Sequence, residues 1–263
     1  MFLSHFKLSA HPFAERVAAD ALWQDDRMRQ GLARLRYLAE QATVGLVTGA
    51  SGVGKSALLK RFIHDLPRPQ YEPVYLHLTH LPAAGLLKQL VVKLGEVPRR
   101  GKERLFQQIL DKARQKEDAL LVIFDEAHLL QGEALTDIRL LISSALDDVP
   151  PLKVVLAGQE PLRHTLRQSL HAALLSRIAV RHHLAALTKS ETATYIDFQI
   201  KRTGGSEKIF DATVKELIHD YSGGIPRLIN NLATACLLQA MAENAKGVNE
   251  AILRQTLNEF QLP

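Results

Sequence analysis

The chain has 263 residues, enough for one large domain or for a large domain with a smaller one appended. Its 46% hydrophobic and 23% charged residues are ordinary for a globular protein and exclude a mainly disordered chain. The 33 Lys and Arg against 28 Asp and Glu leave a net charge of +5, which permits a nucleic-acid partner without requiring one. A single cysteine, Cys236, excludes an intrachain disulfide framework and a multi-cysteine zinc site, and fits a reducing compartment. No run reaches the length of a membrane-crossing helix. The opening MFLSHFKLSAHPFAERV lacks a basic start followed by a long apolar stretch. No membrane association and no leader are expected, and the cytoplasm is the expected location.

Residues 26–41 place Met28, Leu32, Leu35, Tyr37 and Leu38 at roughly helical spacing. TVGLVTG then reads as a short buried strand entering a glycine-rich turn. SALLKRFIHDL follows as a helix, ended by Pro67 and Pro69. Residues 74–79 are a second strand, and 84–95 a helix broken at Gly95 and Pro98. Residues 102–116 are another helix, with Leu105, Phe106, Ile109, Leu110 and Ala113 as its inward stripe. The continuous apolar run 120–124 suits a central parallel strand covered on both faces, and 152–157 is a further strand. Alternating strands and helices predict an α/β domain with a parallel sheet flanked by helices.

From about residue 187 the pattern turns helical. Thr188-Lys-Ser-Glu191 spells a capping box, Asp211 and Asn249 are candidate caps, Gly223 and Gly224 suit a helix end, and Pro226 suits a first turn. The expected organisation is an N-terminal segment and helix (1–40), an α/β core (41–187) and a small all-α domain (188–263).

The strongest motif is Gly49-Ala50-Ser51-Gly52-Val53-Gly54-Lys55-Ser56, which fits G-x-x-x-x-G-K-[ST] between a strand and a helix that continues with Ala57. Glycines let backbone N–H groups turn inward around phosphate oxygens, and the helix adds its positive end. Lys55 supplies a point charge to the outer phosphates and Ser56 an oxygen for Mg²⁺. LLVIFDEAH supplies the complementary carboxylates. Asp125 is placed to support Mg²⁺ through water, and Glu126 to orient an attacking water. A glycine-rich turn can occur by chance and an Asp-Glu pair can simply cap a helix. The two together, in this order and context, favour nucleotide hydrolysis.

These two motifs resemble those of the AAA+ ATPases. Two further segments extend the resemblance: VVLAGQEPLR (154–163) and SGGIPRLINN (222–231). With HPF near the N-terminus and FDEAH, they are similar to the ExeA-type (general secretion protein A-like) ATPases and to the transposition ATPases of the TnsC, TniB and MuB kind, over nearly the whole chain. The resemblance implies a P-loop AAA+ core with a helical lid. It implies ATP and Mg²⁺ as ligands, Gln159 at the sensor-1 position beside the attacking water, and Arg227 at the sensor-2 position on the lid. Arg177, in LLSRI, takes the place of the finger that reaches a neighbour's nucleotide, with Arg163, Arg167 and Arg181 as local competitors. A finger in trans implies a homo-oligomer, ring or helical filament.

Residues 188–263 are nearly neutral, so the basic excess lies before them. Much of it falls in 97–116, where Arg99, Arg100, Lys102, Arg104, Lys112, Arg114 and Lys116 meet only Glu103 and Asp111. In initiator- and transposition-type relatives this region tracks the DNA backbone, which makes Arg99, Arg100 and Lys102 candidate contacts to double-stranded DNA without sequence readout. The bland alternative is a solvated loop. His128 completes the letters DEAH without companion helicase motifs and is read as a local hydrogen-bonding residue. Pro12 and Phe13 either line the adenine side or anchor the N-terminal segment. Trp23 and Cys236 read as packed residues. The expected function is a DNA-bound ATPase that regulates transposition and recruits a transposase. The alternative is a component of an envelope secretion system, from whose ExeA relative this chain departs by lacking a membrane segment and a peptidoglycan-binding region.

Overall fold

The computed structural model describes residues 2–67, 70–77, 81–115, 119–143 and 152–260. Pro69, Thr79 and Lys116, named above, lie outside the described residues. In chain order the elements are α1 (Phe2–His5), α2 (Asp26–Gln41), β1 (Val44–Thr48), α3 (Lys55–Asp65), β2 (Tyr71–His77), α4 (Ala83–Lys93), α5 (Lys102–Arg114), β3 (Ala119–Asp125), α6 (Gly132–Ser143), β4 (Lys153–Gly158), α7 (Pro161–Leu166), α8 (Ala172–Leu175), β5 (Ile178–His183), α9 (Lys189–Arg202), α10 (Ala212–Ser222), α11 (Pro226–Ala242) and α12 (Glu250–Phe260). Among the described residues no helix is long and apolar enough to cross a membrane.

The chain divides by its contacts into two units. Asp26–Ser51 with Lys55–Leu184 forms one, and Met1–Asp25, Gly52–Gly54 and Ala185–Pro263 form the other. In the first unit five strands form one sheet in the order β2-β3-β4-β1-β5, every neighbouring pair parallel. Parallel strands need long crossovers, and helices supply them. The inner strands β1, β3 and β4 are buried along their whole length, as their near-continuous Val, Leu, Ile and Phe runs require. Their core partners include Leu86, Leu90, Ile109 and Ile138. β5 alternates buried and exposed residues, because it is an edge strand. Its sequence, IAVRHH, carries no apolar run, so only the family resemblance points to a strand after Arg177.

Register sets where each strand ends. Thr48 pairs with Gly158, Phe124 with Leu156 and His77 with Asp125. The carboxyl ends of β1, β3 and β4 therefore finish level, and the residues after them emerge along one edge of the sheet. Lys153 secures the opposite end of β4. Its buried Nζ donates to the carbonyls of Ala42 at 2.8 Å and Leu38 at 3.3 Å at the end of α2, where the Leu38 carbonyl also accepts from the Ala42 N–H at 3.2 Å. Burial holds this ammonium below the ordinary lysine range.

The second unit packs α9–α12 around Ile196, Val214, Ile229, Leu232 and Leu253. The first 25 residues belong here, separate from α2, so the expected 1–40 piece is divided. Phe6, Leu8 and Phe13 are buried in this helical core, and Phe13 meets Phe210 edge-on at 6.1 Å. Trp23 lies 5.4 Å from the Tyr195 ring, a packed residue. Cys236 is fully buried, and burial pushes its thiol up to about 11. The capping box forms: Thr188 Oγ1 accepts from Glu191 N–H at 3.3 Å, and Glu191 Oε2 accepts from Thr188 N–H at 2.8 Å. Asn249 Oδ1 caps α12 through the Ile252 N–H at 3.0 Å, whereas Asp211 stands at the N-cap of α10 without a side-chain bond.

Gly223 and Gly224 end α10 with φ of +58° and +71°. A methyl on Gly224 would lie 2.0 Å from the Leu187 carbonyl oxygen, whereas around Gly223 the space is open. Gly223→Ala should therefore cost only the left-handed penalty, about 1–2 kcal/mol. Gly224→Ala adds backbone overlap and should cost about 3 kcal/mol or more, in urea titrations of both variants.

Candidate functional site

Within the sheet unit, Gly49–Ser51 leave β1, and Lys55 and Ser56 open α3. Lys55 is 5% exposed, and its Nζ donates to the Gly49 and Ala50 carbonyls, both at 3.0 Å. The ammonium is thus held inside the turn by the backbone around it. Ser56 Oγ donates to Asp125 Oδ2 at 2.8 Å, bridging α3 to the end of β3.

Asp125 is fully buried and collects three donors. Ser56 and Tyr75 share Oδ2, the Tyr75 hydroxyl at 2.5 Å, while the Glu126 N–H donates to Oδ1 at 2.9 Å. Burial, and then the Asp125 carboxylate, push the Tyr75 phenol far above its ordinary range, so it remains a donor. Sequence reasoning missed Tyr75. It stands on β2, beside β3, and nothing local to VYLHLT marks it as part of the site. A hydroxyl and a carboxylate oxygen 2.8 Å apart form a pair of hard oxygen donors. That donor set suits Mg²⁺, which takes one or two protein oxygens and keeps its waters.

Glu126 follows in the left-handed region, φ 53° and ψ 33°, a conformation a non-glycine residue rarely adopts. Its Oε2 lies 3.3 Å from His128 Nδ1, and the Gln159 N–H lies 3.4 Å from the same nitrogen. One ring nitrogen cannot serve both. It donates to Glu126 when it carries a proton and accepts from Gln159 when it does not. His128 therefore connects the ends of β3 and β4, a position that the letters DEAH do not reveal. Gly158 makes room for it, since a methyl there would lie 2.9 Å from the His128 backbone nitrogen.

The remaining predicted residues lie elsewhere. Arg177 is exposed after α8, its Nη1 donating to the Ala173 carbonyl at 3.4 Å. Arg227 belongs to the helical unit, as do Gly52, Val53 and Gly54. Its N–H donates to the Gly52 carbonyl at 3.3 Å. Gly52 has φ +80°, and a methyl on it would lie 2.8 Å from Arg227 Cβ, so glycine is required on two counts. Arg99 and Arg100 are exposed. Lys102 is not a free charge: its Nζ pairs with Glu133 at 2.7 Å and with the buried Asp137 at 2.9 Å. Removing it would leave Asp137 buried without its cation, so its first role is in the fold.

Residues 38–166 match the family described as AAA domain. The chain is 33% identical over 254 residues to General secretion pathway protein A of Aeromonas hydrophila, covering 93% of this chain and 46% of that protein. It therefore spans less than half the length of this relative. Among solved structures, the Aeropyrum pernix ORC2 protein in ADPNP-ADP complexes superposes with a TM-score of 0.69 at 19% identity, over 95% of this chain and 72% of that one. Drosophila ORC bound to DNA gives 0.74 at 17% identity, over 98% and 66%. At such identities the likeness is one of fold. The architecture is a P-loop α/β core, a parallel sheet flanked by helices, with an all-α C-terminal part.

Tyr75→Phe removes one of the three donors to a buried carboxylate. It should cost about 1.5–3 kcal/mol of stability in denaturant titrations without divalent cations, the range for hydrogen bonds to charged groups.

Proposed function

We propose, from the match of residues 38–166 to the AAA domain and from the parallel sheet, that the chain is a Mg²⁺-dependent ATPase whose nucleotide state governs self-assembly. The observation that carries this reading is the Asp125 carboxylate, held by Ser56 from the glycine turn and followed at once by Glu126.

The backbone of residues 49–57 cradles the phosphates, and Lys55 exchanges its two carbonyl acceptors for phosphate oxygens. Ser56 and Asp125 hold the metal, which when bound neutralises charge on the phosphates. Glu126 orients the attacking water and takes its proton, and Gln159 stands on the neighbouring strand end. Arg227, in the helical unit, takes the sensor-2 role that the family resemblance implies. Arg177, exposed and unpaired with any carboxylate among the described residues, completes a neighbour's site. A guanidinium offered in trans makes turnover depend on assembly, as a ring or as a helical filament. The ADPNP-ADP complexes named for the ORC2 protein support the nucleotide assignment.

In this reading the assembly works on double-stranded DNA, in the cytoplasm, and regulates transposition by recruiting a transposase. The DNA-bound ORC neighbour and the exposed Arg99 and Arg100 support the DNA part. Lys102 contributes less, being engaged by Glu133 and Asp137. A second reading, a component of envelope secretion, is favoured by the 33% identity to General secretion pathway protein A. ATP-dependent binding to duplex DNA separates the two. Its absence from purified protein favours secretion.

Lys55→Ala should lose ATP binding in calorimetry. Glu126→Gln should keep it while slowing phosphate release about a hundredfold or more, and should accumulate assemblies in sizing experiments. Arg177→Ala should reduce turnover about a thousandfold with binding intact. Unchanged turnover in Glu126→Gln overturns its role.

On DNA, Arg99→Ala/Arg100→Ala should flatten the slope of log affinity against log salt by about 2, close to one unit per lost phosphate contact. An unchanged slope removes these residues from the interface.

A further inference from the structure

The sheet unit contains a cavity of about 320 Å³ that no residue of the glycine turn lines. Arg34, Arg163, Arg167, Arg181, His182 and His183 converge on it from α2, from α7 and the residue after it, and from the edge strand β5. The rest of its wall is Thr48 and leucine side chains.

The charge balance around this cavity is one-sided. Among the described residues the only carboxylate within ion-pair distance is Glu160, 3.2 Å from both Arg163 and His183. Arg34, Arg167 and Arg181 pair with no carboxylate among them. Two of these three are oriented by neutral groups instead. Arg34 Nη1 donates to the Arg181 carbonyl at 3.0 Å and lies 3.2 Å from His182 Nδ1, and Arg181 Nη2 donates to the Leu175 carbonyl at 3.3 Å. His182 is buried, and burial followed by the neighbouring Arg34 holds its imidazole below the ordinary range. It therefore serves as an acceptor that aims Arg34 and adds no charge of its own. Arginine cannot relieve such crowding by releasing a proton.

Four guanidiniums facing one carboxylate around a hollow call for an anion. The chemistry of the fork selects a phosphate, whose oxygens accept paired N–H donors. The volume selects its size. It lies at the lower end of the roughly 300–1,000 Å³ typical of small-molecule sites, and the site is concave, unlike an open groove that follows a duplex. The leucine wall lowers the local dielectric and strengthens every charge contact inside.

We propose that this cavity is a second anion site, which takes the polyphosphate group of a small molecule other than the nucleotide in the glycine turn. Thr48 is the last residue of β1, immediately before Gly49, and its hydroxyl lies 3.2 Å from His183 Nδ1. The site thus abuts the glycine turn through one residue. Arg177 does not line it, so it is distinct from the proposed finger. It does not depend on the ATPase reading.

The test is calorimetric titration of pyrophosphate into the full-length Lys55→Ala protein without magnesium, which disables the glycine turn. One site per chain is expected. Arg167→Ala/Arg181→Ala in the same background should weaken it about tenfold or more, the scale of lost charge-assisted hydrogen bonds. Arg254→Ala, on α12 and outside every proposed site, should leave it unchanged. Arg167→Ala alone serves as the second variant. Its side chain makes no hydrogen bond among the described residues, so the fold survives its loss, and it too should weaken binding. No heat of binding up to about 10 mM pyrophosphate overturns the proposal. So does affinity indifferent to Arg167, or citrate binding as tightly as pyrophosphate, which would mean that charge alone is read.

Discussion

The hydrogen bond from Ser56 to the buried Asp125 carboxylate joins the start of α3 to the end of β3, and much of the site depends on it. Tyr75 donates to the same oxygen from β2, so one atom gathers α3, β2 and β3. A fully buried carboxylate is costly unless donors surround it, and here they come from the first turn of α3, from the neighbouring strand β2 and from the next backbone N–H. Removing any of them exposes the cost of the others. The same bond ties the end of β3 to the first turn of the helix that follows the glycine turn.

The arrangement beyond Asp125 is less relaxed. Glu126 is held in the left-handed region, and the adjoining short turn carries His128 against Gly158, where only a glycine leaves room. This crowding places Glu126, His128 and Gln159 in a row across two strand ends. His128 has one nitrogen for two partners, so its tautomer distinguishes a carboxylate tied to the imidazole from one released toward the nucleotide side. A local hydrogen-bonding role is what the sequence suggests for His128, and its Nδ1 lies within reach of the Glu126 carboxylate and the Gln159 backbone N–H.

How much the sequence reveals depends on the range of each signal. The glycine turn and Asp125-Glu126 are contiguous and sit next to strong apolar runs, so motif and context agree in one reading. The inner strands are legible because burial on both faces enforces apolar residues. β5 is not, since an edge strand tolerates Arg181, His182 and His183. Tyr75 is invisible for another reason. Its role depends on which strand lies beside β3, and pairing partners are a property of the fold. The sequence groups the first 25 residues with α2 as one N-terminal piece, yet Phe6, Leu8 and Phe13 are buried in the core of the helical unit.

Charge shows the same limit in a stronger form. Along the chain, 97–116 is the conspicuous basic stretch. In the fold, Lys102 binds Glu133 and Asp137, Lys112 binds Glu96 at 2.9 Å, and Arg114 lies 3.8 Å from Asp111. Part of that run is neutralised locally, and Arg99, Arg100 and Arg104 are left exposed without an ion pair among the described residues. The larger unbalanced charge is assembled from residues that no linear reading groups: Arg34 and Arg181 are 147 positions apart, yet one donates to the other's carbonyl. A run of basic residues on a helix can recruit acids from its neighbours. Arginines drawn together around a cavity with one glutamate between them find no such acids among the described residues, which is why the cavity suits an anion from outside.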